Sequence, residues 1–300
     1  MSIRPIKRVT QSQPTIEGAG VRLRRAFGFG RTDEFDPFLL LDDFRNEHPE
    51  DYLAGFPWHP HRGIETITYV LNGTVQHGDS LGNRGSLGAG DVQWMTAGSG
   101  ILHQEMPQGD ARGRMHGFQL WANLPRSLKM TDPRYQDIKA KDIPEITDDD
   151  GTSVRVVVGD FWGKKGPVEG VAAEPRYLDI WVPPGVKKTF AVEASRHAFA
   201  YVFDGSGTFR DASTPQTVRT EWVGEATGAP ELIGNRSLIL FDSGDEITVR
   251  AGESGIRFLL VSGRPLEEPV AWRGPIVMNT EAELQRAYAE LHDGSFIKHR

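Results

Sequence analysis

The sequence contains no cysteine. That excludes disulfides, thiolate catalysis and thiolate metal ligands, so any redox chemistry has to use a metal or a cofactor. Long hydrophobic runs are missing as well. None approaches the ~20 residues of a membrane helix, and the opening MSIRPIKRVTQSQP lacks the apolar centre of a signal peptide. The expectation is a soluble, cytoplasmic protein with no membrane contact. Positive charge is in short supply: 34 Lys and Arg stand against 41 Asp and Glu, a net charge of −7. Direct nucleic-acid binding through phosphate contacts needs a basic face and is not expected. The one early basic cluster, Arg22, Arg24 and Arg25 in VRLRR, reads as an alternating strand with one solvated face. Helical periodicity is scarce before residue 280. With 34 glycines and 19 prolines, the composition is that of a turn-rich β protein.

What is present fits short strands. A chain of 300 residues can hold two ordinary domains or one large β domain. DPFLLLDDF, from Asp36, reads as a strand buried on both faces. ETITYVLNGTVQHGDS alternates on both sides of Asn72-Gly73, a strong hairpin signal. GAGDVQWMTAGSGILHQEM adds two strands around a glycine-rich turn, and the spacing indicates a sandwich or barrel. The second half echoes the first: YVLNGTV at 69–75 recurs as YVFDGSGTF at 201–209, and GAGDVQWMTAGSGI recurs as FDSGDEITVRAGESGI at 241–256. Two copies of one β domain are the simplest account. The acidic, turn-rich KDIPEITDDDGTS places a boundary that divides the chain into 1–143 and 144–300. A helix is expected at TEAELQRAYAEL, with Thr280 and Glu283 as a capping box, Leu284, Tyr288 and Leu291 on one face and Gly294 beyond the end.

Chemistry concentrates in FPWHPHRG and ILHQEM. Side chains two apart on a strand share a face, so His59 and His61 project together, and His103 and Glu105 repeat the spacing. Pro60, with no ladder donor, suits a strand start or edge. An isolated HxH pair is ordinary surface chemistry. A second doublet in the same register, with five of the nine histidines (His59, His61, His77, His103 and His116) close together, makes a metal site the better reading. If the two strands are neighbours, three imidazoles and one carboxylate converge. Such a set suits iron, manganese, nickel, copper, cobalt or zinc. Iron(II), six-coordinate with two positions left open for a substrate oxygen and dioxygen, is favoured. The net charge of such a centre would attract an anionic enolate or carboxylate.

HPHRGIETITYVLNG, then HGDSLGN, then GAGDVQWMTAGSGILHQEMP together closely resemble the pirin family of the cupin superfamily. The likeness continues in DPFLLLDDF, HGFQLWANLP and GRPLEEPVAWRGPIVMNTEAEL, nearly the whole chain. It implies an all-β bicupin: two tandem jelly-roll-like cupin barrels with a short C-terminal helix, the metal site in domain 1–143 and none in 144–300. It also implies that iron is held by His59, His61, His103 and Glu105, with Glu105 a possible base as well as a ligand. Glu65, where other cupins place a glutamate ligand, becomes a supporting or strand-face residue. Aligning GSGILHQEM with ESGIRFLLV sets Phe258 against His103 and Leu260 against Glu105, so the second barrel should hold no metal. His77 and Asp79 could orient a ligand or merely cap a turn. His116 and Gln119 could line the site or belong to an ordinary strand. Phe56, Trp58 and Met115 could wall a pocket or pack a core. The resemblance implies a quercetin 2,3-dioxygenase-like enzyme acting with O2 on a small phenolic or enol substrate. The alternative is a non-enzymatic, iron-dependent regulatory protein with a protein partner.

Overall fold

A computed structural model describes residues 2–210 and 232–299. Residues that alternate in the sequence alternate in burial. Ile101, His103, Glu105 and Pro107 are buried while Leu102, Gln104 and Met106 between them are half-exposed, so both members of the second doublet face inward. Contacts group the chain into two compact units.

The first strand, β1 (Ile6–Gln11), pairs with Ser237–Phe241 and belongs to the second unit. The first unit is built from β2 (Gln13–Glu17), β3 (Val21–Phe27), β4 (Phe38–Asp43), β5 (Phe56–His61), β6 (Ile64–Asn72), β7 (Thr74–Asp79), β8 (Arg84–Leu87), β9 (Val92–Thr96), β10 (Ile101–Gln108), β11 (His116–Asn123) and β12 (Arg134–Ile138). A seven-stranded sheet runs β12-β9-β6-β11-β4-β3-β2 and a four-stranded sheet runs β5-β10-β7-β8. All six residues of β4 are buried. The hairpin expected at Asn72-Gly73 does not form. Gly73 does take φ +80°, but β6 pairs with β9 and β11 whereas β7 pairs with β8 and β10. The turn is a corner that carries the chain from one sheet to the other.

The second unit is built on a nine-stranded sheet centred on His197–Phe209 and Glu246–Gly263. There YVFDGSGTF stays one bent strand, with register shifts around Asp204 and Gly205. Phe258 and Leu260 lie in its apolar core, Phe258 against Phe190 and Phe209. The two units interleave along the sequence. Relative to a single cut between 143 and 144, residues up to Gln11 go with the second unit, because β1 extends its sheet. Residues 166–175 and the segment from Arg264 go with the first. The helix Glu281–Asp293 carries its capping box and a left-handed Gly294. Leu284 and Ala287 are buried against Ile276, Met278 and Phe296, with Tyr288 and Leu291 at the margin.

Candidate metal centre

β5 and β10 are neighbours. His59 sits directly opposite His103 and His61 opposite Ile101, and a register shift follows between His103 and Glu105. The three imidazoles crowd together, with ring centroids 4.3 to 4.9 Å apart. Among the described residues they form a cluster whose ligand nitrogens all lie within 4.8 Å of one another.

Their hydrogen bonds orient two of them. His59 Nδ1 lies 2.9 Å from Pro57 O and His61 Nδ1 lies 3.1 Å from Pro275 O. A carbonyl only accepts, so each Nδ1 carries the proton and each Nε2 presents a lone pair. Those two lone pairs face each other at 3.1 Å, which is unfavourable unless a cation sits between them. Two imidazole nitrogens about 2.1 Å from one ion and at right angles lie about 3 Å apart, so the spacing suits a shared metal. Among the described residues neither nitrogen of buried His103 has a partner. Burial, then the neighbouring imidazoles, holds His61 and His103 well below the ordinary histidine value. Both are therefore neutral imidazoles, the form in which histidine can coordinate a metal. The donor set fits a metal ion.

Glu105 is buried but turns to the opposite sheet. Its Oε1 lies 2.9 Å from the Thr68 hydroxyl and its Oε2 accepts from Gln119 Nε2 at 3.3 Å. The Thr68 hydroxyl is also 2.6 Å from Gln119 Oε1, so one proton serves two acceptors in turn.

Between the sheets lies a cavity of about 450 Å³, with His59, His61 and Glu105 in its wall. Most of the rest is apolar: Val21, Leu23, Leu40, Phe44 and Trp121 contribute, as do Phe56 and Met115. Gln119 also lines it, but His116 and Trp58 do not. His116 lies 3.9 Å from Asp43 and Trp58 is 53% exposed. Asp79 is chiefly a turn cap, with Oδ1 accepting from the backbone of Leu81 and Asn83. His77, 3.5 Å from Asp79, stacks on Tyr135 and lies 5.5 Å from the His103 ring.

Two groups of residues stand outside the sequence expectation. Arg25 is not on the solvated face: it lies two positions from Leu23 and Phe27 and four from Val21, the buried residues of its strand. It points into the cavity and forks onto Asp42, at 2.8 and 2.7 Å. Burial pushes Asp42 up to about 6 in spite of that partner. The other group is the C-terminal segment. Pro275 O fixes His61, and buried Arg62 donates to Ser99 O, Glu290 and Phe296 O. Nothing local in sequence announces that contact.

Glu65 lies three residues before Thr68, hence on the other face of β6, and accepts from the Thr96 hydroxyl at 2.8 Å. Burial pushes its carboxyl up to about 7. A carboxyl with a raised folded-state value stabilises the fold below its unfolded value and loses that contribution as pH rises through about 7. Glu65→Gln should therefore flatten the pH dependence of urea unfolding between pH 5 and 8, with a difference from wild type on the order of 2 kcal/mol across that range. Parallel pH profiles would show that Glu65 is not the titrating group.

Comparison with known proteins identifies the family of the chain. The sequence model described as Pirin matches residues 20–122, and that described as Pirin C-terminal cupin domain matches 177–297. A pirin-like protein of Caulobacter vibrioides is 41% identical over 99% of this chain and 100% of its own length. A Pseudomonas aeruginosa protein bearing the provisional name quercetin 2,3-dioxygenase is 40% identical over 97% of both. The crystal structure of a quercetin 2,3-dioxygenase from Acinetobacter baumannii superposes with a TM-score of 0.84 at 31% identity, covering 98% of this chain and 99% of that one. Matched in both barrels and alignable almost end to end with such relatives, the chain belongs to the pirin family.

Proposed function

We propose that this chain is a metal-dependent dioxygenase that opens the heterocyclic ring of a flavonol such as quercetin, with iron(II) held by His59, His61, His103 and Glu105. The observation that carries the reading is the cavity of about 450 Å³ with the facing nitrogens of His59 and His61 in its wall. A protein that only signalled the state of its metal to a partner would have no need of it. The names of the Pseudomonas and Acinetobacter relatives support the substrate class.

When bound, the ion supplies a Lewis acid for the substrate oxygen and electrons for reaction with dioxygen. The rest falls to the chain. The Glu105 carboxylate accepts the proton of the flavonol 3-hydroxyl, and Thr68 and Gln119 hold it in position for that transfer. Apolar walls exclude water from the activated ring. Dioxygen adds across the heterocycle, which opens with loss of carbon monoxide. The second barrel carries no metal in this reading, since Phe258 and Leu260 fill the equivalent positions.

Protein loaded with iron under argon and then exposed to oxygen with quercetin should consume oxygen and release carbon monoxide. The His59→Ala, His61→Ala double variant should do neither. Equal oxygen uptake by both proteins would sink the assignment.

A further inference from the structure

Besides His59, His61 and Glu105, the cavity wall carries a polar row. Arg25 pairs with Asp42 across β3 and β4, Asp42 with Gln119 across β4 and β11, and Gln119 with Thr68 across β11 and β6. Directly opposed residues of antiparallel strands share a face, so these four form a polar row, all of it in the cavity wall. Its two ends differ. The Thr68 end touches Glu105 and the proposed metal centre. The other is an ion cluster: Arg25 donates to Asp42 through Nε and Nη2, and its Nη1 lies 2.8 Å from Glu17.

We propose that the Glu17–Arg25–Asp42 cluster is a distal subsite that binds uncharged hydroxyl groups at the far end of a planar polyphenol whose near end lies at the histidines. This rests on reading the cavity as the substrate pocket. Three features carry it. The first is charge. One guanidinium against two carboxylates leaves the cluster net negative, so it repels a carboxylate or phosphate on the ligand although an arginine lies at its centre. The second is capacity. Each carboxylate oxygen has more than one acceptor site, and one bond from Arg25 does not fill Asp42 Oδ1 or Oδ2. The third is span. Thr68 and Asp42 are two strand spacings apart, about 10 Å at ~4.8 Å each. A single phenol ring is too short to reach both ends, whereas a fused two-ring system with a pendant ring can. The walls between, such as Leu40, Leu23 and Phe44, are suited to ring faces.

The test uses the iron-loaded protein under argon, where turnover is blocked, with two probes: quercetin, and 3-hydroxyflavone, which keeps only the hydroxyl for the metal end. Titration calorimetry should give wild-type affinity for quercetin about 10- to 100-fold above that for 3-hydroxyflavone, the weight of one or two charge-assisted hydrogen bonds. Asp42→Asn and Glu17→Gln should each narrow the ratio, and together bring it to within about threefold of unity, with 3-hydroxyflavone affinity unchanged. That unchanged affinity reports an intact pocket. The Glu17 carboxylate is 39% exposed, so its substitution does not threaten the fold. A wild-type ratio near one, or a ratio that neither variant moves, overturns the subsite. Selective binding with no oxygen uptake on aeration overturns the dioxygenase reading while supporting the subsite; uptake without selectivity does the reverse.

Discussion

His103→Leu should purify with at least tenfold less iron than wild type and lose oxygen uptake by a hundredfold or more, since even losing a ligand's supporting partner costs about 10- to 100-fold. The informative contrast is stability. His103 is fully buried and neither ring nitrogen has a partner among the described residues, so an apolar side chain of similar size strands no hydrogen bond. The metal-free variant should melt close to metal-free wild type. Iron at 100 times its dissociation constant adds about 2.7 kcal/mol to a folded protein, roughly 5–10 °C for a unit of this size. That shift should appear in wild type and vanish in the variant. A variant that retains stoichiometric iron would show that His103 is no ligand.

Arg62→Ala is expected to have the largest effect on stability of any single change outside the cores. The guanidinium is 2% exposed, makes three hydrogen bonds and lies over the Phe296 ring, 4.1 Å from its centroid. Removing it leaves Ser99 O and Phe296 O buried without that donor, and Glu290 with Lys298 as its remaining partner; two unsatisfied carbonyls at ~1–3 kcal/mol each come to about 2–6 kcal/mol. Because Arg62 follows His61 directly, iron content should fall with stability. Arg62→Lys keeps the charge but loses the fork and should fall between. Lys298→Ala removes only the half-exposed second partner of Glu290, 2.9 Å away, and should cost about 0–1 kcal/mol. Urea unfolding of the three variants orders them. Equal midpoints for Arg62→Ala and Lys298→Ala would mean that the segment after Arg264 does not anchor the strand that carries His59 and His61.

Much of the fold was legible because strand burial has a period of two. Alternation alone turns His103 and Glu105 inward, and the doublets at 59/61 and 103/105 point to each other before any register is known. The register shift that sets Glu105 opposite Phe56, and the hydrogen bonds of Glu105 to Thr68 and Gln119, were not legible, since they depend on how β10 meets β5 and the other sheet. Asn72-Gly73 shows the same limit. Turn chemistry is local, but whether the strands on either side pair with each other is decided by competing partners tens of residues away. Arg25 was within reach of the pattern: it continues the Val21, Leu23 spacing, and an arginine on that inward face needs the buried carboxylate of Asp42, which lies on another strand. The interleaving of the two units left no mark, because β1 and the segment after Arg264 look like any other strand or helix until their partners are known.

That interleaving also sets an order of events during synthesis. The ribosome completes β5 early, yet the residues that hold His61 and Arg62 in place, Pro275, Glu290 and Phe296, are made 214 to 234 residues later. A nascent protein has both halves of the histidine cluster long before it has the clamp that fixes them. A centre that needs the finished geometry can therefore form only after Pro275, Glu290 and Phe296 have been made.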